Sequence, residues 1–190
     1  MRSLIRDLRI RPKFHARGAV LSVLSLVLLA VSAGAVVSRA DYSLAGEWGE
    51  LGSADGQFRR PTGIDVDQAG KVYVADMLNG RIQKFDSSGA LMAAWGGIGV
   101  NDGQFDELID VDVDFAGNVY ALDIRGNTVQ RFDGAGGFVT SWPAKRPDLN
   151  VLTSITVGGI STDSAGDVYV SISPQAAVRI FDGTGRTHRA

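Results

Sequence analysis

Two turns of this 190-residue sequence gather side chains of the kind that bind ligands. The first holds Asp76, Met77, Leu78, Asn79 and Arg81, and the second Asp123, Arg125 and Asn127. Carboxylate, amide and guanidinium groups beside exposed apolar residues can hydrogen-bond and pack against a peptide or a sugar. Arg59, Arg60 and Gln104 lie a short way upstream and extend the same candidate surface. The plainer reading of each charged residue is an ion pair or a turn hydrogen bond within one hairpin, and the recurrence of Asp at both turns fits that structural duty. Two further stretches, Asp65-x-Asp67-x-x-Gly70 and Asp112-x-Asp114-x-x-Gly117, resemble the start of a calcium loop. Such a loop needs an oxygen ligand at its fifth position, where Ala69 and Ala116 stand. They read as strand ends followed by a Gly turn.

Catalysis finds little support. The two histidines, His15 and His188, lie near the chain termini, there is no Cys, and no Ser has a base or a G-x-S-x-G setting. No catalytic residue, metal ligand or cofactor is assigned. Asp76, Asp123 and Asn127 are of a type that ligates divalent metals, which keeps one enzymatic alternative in view.

The elements that must position these residues come from a repeat. Segments 44–90 and 91–137 align without a gap and match at 20 of 47 positions. Trp48, Trp95 and Trp142 mark the period, as do Phe58 with Phe105 and Phe85-Asp86 with Phe132-Asp133. A third unit, 138–190, follows with its later landmarks shifted by two residues. Each unit alternates apolar and polar residues in short runs separated by Gly turns. Four short antiparallel strands in about 45 residues describe a β-propeller blade. The fold class is therefore all-β, with about three four-stranded blades in 41–190, a partial ring or half of a six-bladed one. The recurring Trp residues read as packing between blades.

Charge separates the N-terminus from this body. Residues 1–40 carry seven basic side chains and one acid, whereas 41–190 carry 12 basic and 20 acidic residues. An acidic body argues against nucleic acid as partner. Residues 19–37 contain no charge and follow a basic flank, as in a signal peptide or a membrane anchor, and form an N-terminal hydrophobic helix by expectation. Small residues at Ala33-Gly34-Ala35 and Ser38-Arg39-Ala40 offer cleavage sites. Both readings place 41–190 outside the cytoplasm, secreted or held by a single membrane pass with the N-terminus inside.

The stretch GQFRRPTGIDVDQAGKVYVADMLNGRIQKFDSSG resembles an NHL repeat. The resemblance extends over 41–186 and implies a six-bladed propeller of the TolB-like kind. It also implies a ligand face on the side of the Asp76–Arg81 turn, and relatives that bind proteins, peptides or RNA or act as metal-dependent lyases. The second unit departs from the pattern at Leu108 and Asp110, and the third lacks the GQF motif and has Ile172 where the others have Asp76 and Asp123. The expected function is a non-catalytic binding or scaffold module for a protein, peptide or glycan. The alternative is a metal-dependent propeller hydrolase or lyase of the lactonase kind. Closing a ring requires more blades, from a longer chain or from a second copy that lends 43–48 to the third blade.

Overall fold

Runs of Val, Ile, Tyr and Phe spaced by Asp-x-x-Gly turns dictate short strands in meander order. The computed structural model describes residues 44–144, 158–173 and 177–187. The apolar segment 19–37, expected from the sequence to be a signal peptide or an anchor, lies outside the described residues. Among those described, no helix is long and apolar enough to cross a membrane. Two two-residue strands, β1 (Glu50–Leu51) and β2 (Gln57–Phe58), pair in parallel ahead of the first blade. Blade 1 is the antiparallel sheet β3 (Pro61–Val66), β4 (Val72–Asp76), β5 (Arg81–Phe85) and β6 (Leu91–Gly96). Blade 2 repeats it as β7 (Leu108–Val113), β8 (Val119–Asp123), β9 (Thr128–Phe132) and β10 (Phe138–Pro143). Blade 3 has β11 (Gly158–Thr162), β12 (Val168–Ile172) and β13 (Ala177–Phe181) among the described residues.

Between β4 and β5, Met77–Asn79 form a 3-10 turn, with Gly80 left-handed at φ +60°. Residues 44–49 form no strand, although they align with β6. A bridge between Phe181 and Thr187 repeats the Phe85–Leu91 pairing of blade 1.

The core lies between blades. At the first joint, Tyr73, Ala75 and Ile82 of blade 1 pack with Leu108, Val111 and Phe132 of blade 2. At the second, Tyr120, Leu122 and Val129 pack with Ile160, Val170 and Phe181. Trp95 and Trp142 close these joints from the outer strands, with ring centroids 6.1 Å from Phe132 and 6.0 Å from Phe181. Each indole lies on a glycine: a Cβ on Gly136 would sit 2.6 Å from Trp95, and one on Gly185 would sit 2.6 Å from Trp142. Trp48 takes the equivalent seat on Phe85 and Gly89, where no blade adjoins among the described residues.

Polar groups also cross the joints. Lys84 Nζ donates to Gly134 O at 2.6 Å, and Arg131 donates to Gly183 O at 2.9 Å. On the innermost strands, Asp65 accepts from the Val113 amide at 2.8 Å. Asp112 accepts from the Thr162 amide at 2.7 Å, and Asp110 from the Ile160 amide at 3.0 Å. Burial pushes the Asp110 and Asp112 carboxyls above the ordinary carboxylate value, and their neighbour Asp65 adds to it.

Candidate functional site

The Asp-x-x-Gly motifs do one job, at the end of the blades away from the candidate turns. Asp67 accepts from the Ala69 and Lys71 amides, both at 2.9 Å, and from the Tyr73 hydroxyl at 3.2 Å. Asp114 and Asp163 repeat this arrangement with Asn118 and Tyr120 and with Asp167 and Tyr169. These oxygens brace turns and accept hydrogen bonds from the Tyr hydroxyls, as the strand-end reading of the sequence expects. The groove of about 320 Å³ at this end, between Asp65, Asp112 and Thr162, is acidic. Among the described residues no group of three or more His, Cys, Asp or Glu is arranged to hold a metal.

The candidate turns sit at the opposite end. Asp76 is fully buried there and accepts from the Arg59 amide at 2.7 Å, Asn79 Nδ2 at 2.7 Å, Arg81 Nε at 3.0 Å and Gln83 Nε2 at 3.3 Å. Asp123 is 2% exposed and accepts from the amides of Asp106, Glu107 and Gly126. Both carboxylates tie the loop before the innermost strand to the turn after the second strand. Their oxygens are spent inside the protein, which corrects the expectation that Asp76 and Asp123 present themselves to a ligand.

Four more candidates belong to this scaffold. Asn79 donates to Gly52 O at 3.0 Å and accepts from Ser53 Oγ at 2.8 Å. Arg81 donates to Ala54 O and Gln57 O at 2.7 and 2.8 Å. Gln104 braces its own loop through the Asn101 amide, while its carbonyl accepts from Gln130 Nε2 at 2.6 Å. Asn127 has φ +53° and stands where blade 1 has Gly80, and Asn adopts this conformation more readily than most residues.

Arg59, Arg60, Leu78 and Arg125 remain as exposed candidates, with Met77 half-buried. Leu78 N donates to Arg59 O at 3.0 Å, which joins the two blade 1 segments. Thr62 Oγ1 donates to Leu108 O at 3.2 Å, so the innermost strands of blades 1 and 2 meet near this end. Residues 59–60 and 106–107, just ahead of those strands, therefore form neighbouring sectors of one rim. Asp106 and Glu107 were not singled out from the sequence. They lie 3.7 and 3.4 Å from Arg125 in a partly exposed cluster. Their only sequence signal was an opposite charge at the aligned positions of the two repeats.

A second concavity, an apolar groove of about 420 Å³, runs between Trp48, Phe58, Pro61 and Ile64. These residues align with Trp95, Phe105, Leu108 and Val111, which line the first joint. Ile64 is 64% exposed and Val111 only 2%. The groove has the make-up of a blade seat.

The family model for the NHL repeat matches residues 58–85. A stretch of 42 residues is 55% identical to protein lin-41 of Caenorhabditis elegans, which is 22% of this chain and 4% of that protein. Among solved structures, a protein of unknown function from Bacteroides caccae superposes with a TM-score of 0.50 at 15% identity, over 68% of this chain and 44% of its own. Virginiamycin B lyase from Staphylococcus aureus gives a TM-score of 0.44 at 16% identity, over 64% and 41%. The chain spans less than half the length of these relatives.

Proposed function

We propose, from the premise that this chain is an NHL-repeat β-propeller segment, that it is a non-catalytic binding platform for a protein or peptide partner. The partner is received on the rim that carries Arg59, Arg60, Leu78 and Arg125. One observation carries this reading: these four side chains are exposed on one end of adjacent blades, while the carboxylates below them are consumed in holding the loops. A rigid sheet scaffold that displays loop side chains is the usual arrangement for recognition. The segment 19–37 delivers the propeller outside the cytoplasm, cleaved or retained as an anchor. Of the residues named for the enzymatic alternative, Asp76, Asp123 and Asn127, the two carboxylates are buried and bonded to the protein.

The test is a peptide array probed with the full chain. Retention of a subset of peptides that is lost in Leu78→Ala and Arg59→Ala, with unfolding unchanged, supports the platform. Uniform retention, or losses confined to variants that unfold, refutes it. For location, protease added to intact cells digests residues 41–190 if they are outside; full protection overturns that part.

A further inference from the structure

The two repeats reverse the charge of the rim, on loops that differ in detail. Arg60 is at positive φ and its counterpart Glu107 is not, and the turn amide that meets the loop is Leu78 on Arg59 O in blade 1 and Ile124 on Glu107 O in blade 2. Arg59 and Arg60 align with Asp106 and Glu107, and Leu78 aligns with Arg125. In blade 2 the charges are answered locally, because Arg125 lies beside both acids. Blade 1 has no such answer: Leu78 replaces the residue that would face the pair. Among the described residues, neither Arg59 nor Arg60 has a side-chain ion pair.

The fold does not need these side chains. Arg59 serves it through its backbone alone, donating to Asp76 and accepting from Leu78. Arg60 is at φ +60°, a conformation that glycine adopts without strain and that a Cβ atom makes costly. A long cation is held there at a local cost, with its head in solvent. Exposed cations next to an apolar residue fit a partner with clustered carboxylates and an aliphatic contact.

We infer that blade 1 is the sector that fixes the register of the partner, by binding an acidic peptide segment between Arg59, Arg60 and Leu78. Blade 2, where Asp106 and Glu107 share the single Arg125 and leave an acidic excess, does not draw an acidic segment. This inference rests on the platform reading and adds the chemistry of the partner. The acidic body of the protein, 20 acids against 12 bases in 41–190, keeps the long-range field unfavourable to polyanions. Selection for acid is therefore local to this pair of arginines, and a short peptide meets it better than a nucleic acid strand.

The experiment uses the full chain and three labelled twelve-residue peptides of equal aliphatic content, rich in Asp and Glu, in Asn and Gln, or in Lys, with a single-stranded RNA of similar length. Fluorescence anisotropy at low salt reads the affinities. The acidic peptide binds about ten-fold or more tightly than its amide counterpart, and Arg59→Glu with Arg60→Glu removes that difference. Asp106→Arg with Glu107→Arg puts two arginines on blade 2 in place of its acids and tightens the acidic peptide further. Arg60→Gly weakens it while the unfolding midpoint stays level or rises, which separates recognition from folding. Equal binding of acidic and amide peptides overturns the inference and leaves the platform standing. Binding of none of the peptides overturns both. RNA bound more tightly than the acidic peptide, and sensitive to the same arginines, overturns the assignment of the partner.

Discussion

Asp76 is the residue on which the structural and functional readings of the turn divide, and its removal tests them directly. Asp76→Ala deletes an acceptor that serves four donors at 2.7 to 3.3 Å in a site without solvent. A hydrogen bond to a charged group contributes about 1.5–3 kcal/mol, and removing one member of a buried pair costs about 3–5 kcal/mol. Arg81 keeps its bonds to Ala54 O and Gln57 O, so the cost falls at the low end, about 3 kcal/mol. For a chain of this size that is a fall of roughly 6–12 °C in Tm. Thermal and urea unfolding of the full chain, followed by tryptophan fluorescence, measures it. Trp48 reports on blade 1 through its contact with Phe85. A variant that unfolds within about 0.5 kcal/mol of the parent, yet loses peptide binding, would refute the reasoning and return Asp76 to the ligand surface.

Three other outcomes follow from the packing and the charges. Trp95→Ala empties the wedge between blades 1 and 2 and costs about 3–5 kcal/mol, read as a lower urea midpoint. Gly117→Ala and Gly136→Ala both place a Cβ on a left-handed backbone, at φ +83° and +93°. The first meets open space and costs about 1–2 kcal/mol, whereas the second meets the Trp95 ring at 2.6 Å and costs at least about 1 kcal/mol more. Equal losses would contradict the seating of the indole. The pH profile of Tm has two opposed parts. Asp133 and Asp163 are held below the usual carboxylate value by backbone amides, and Asp182 is held at about 2, chiefly by the Thr184 hydroxyl. Their folded values lie below the unfolded ones, so they stabilise above about pH 4 and withdraw that support as pH falls towards 2. Asp110 and Asp112 are raised by burial, so stability returns as pH falls through their folded values. Tm therefore holds or rises slightly on mild acidification before it drops below about pH 4, and a steady fall beginning at pH 6 would contradict this.

The repeat and its strands were open to reading from the chain alone, because they rest on local chemistry. Val72-Tyr73-Val74 and Val119-Tyr120-Ala121 are β formers bounded by glycines at φ +75° and +83°, and both form central strands. The indoles were legible as joints by their period, since a side chain used once per blade must pack in the same place each time. The calcium-like motifs were legible as turns because Ala69 and Ala116 supply no oxygen. Less could be read at the rim. Eleven residues there had suitable chemistry, and nothing local separated Asp76, which is buried, from Arg59, which is exposed.

Tertiary structure decided that separation, because burial depends on a loop 17 residues upstream folding over the turn. It also moved the blade borders. The repeat units begin at residues 44 and 91, whereas the sheets run from Pro61 to Gly96 and from Leu108 to Pro143. The outer strands at the heads of the second and third units, β6 and β10, pair back into the blade before them, so one period of sequence spans two blades. Partner choice in a meander is set by hydrogen bonds along the strand edges, and any starting point of the repeat carries the same pattern. The sequence thus determined the period, the strands and the turn chemistry. Only the packing of blade on blade decided which carboxylates brace the loops and which arginines are left for a partner.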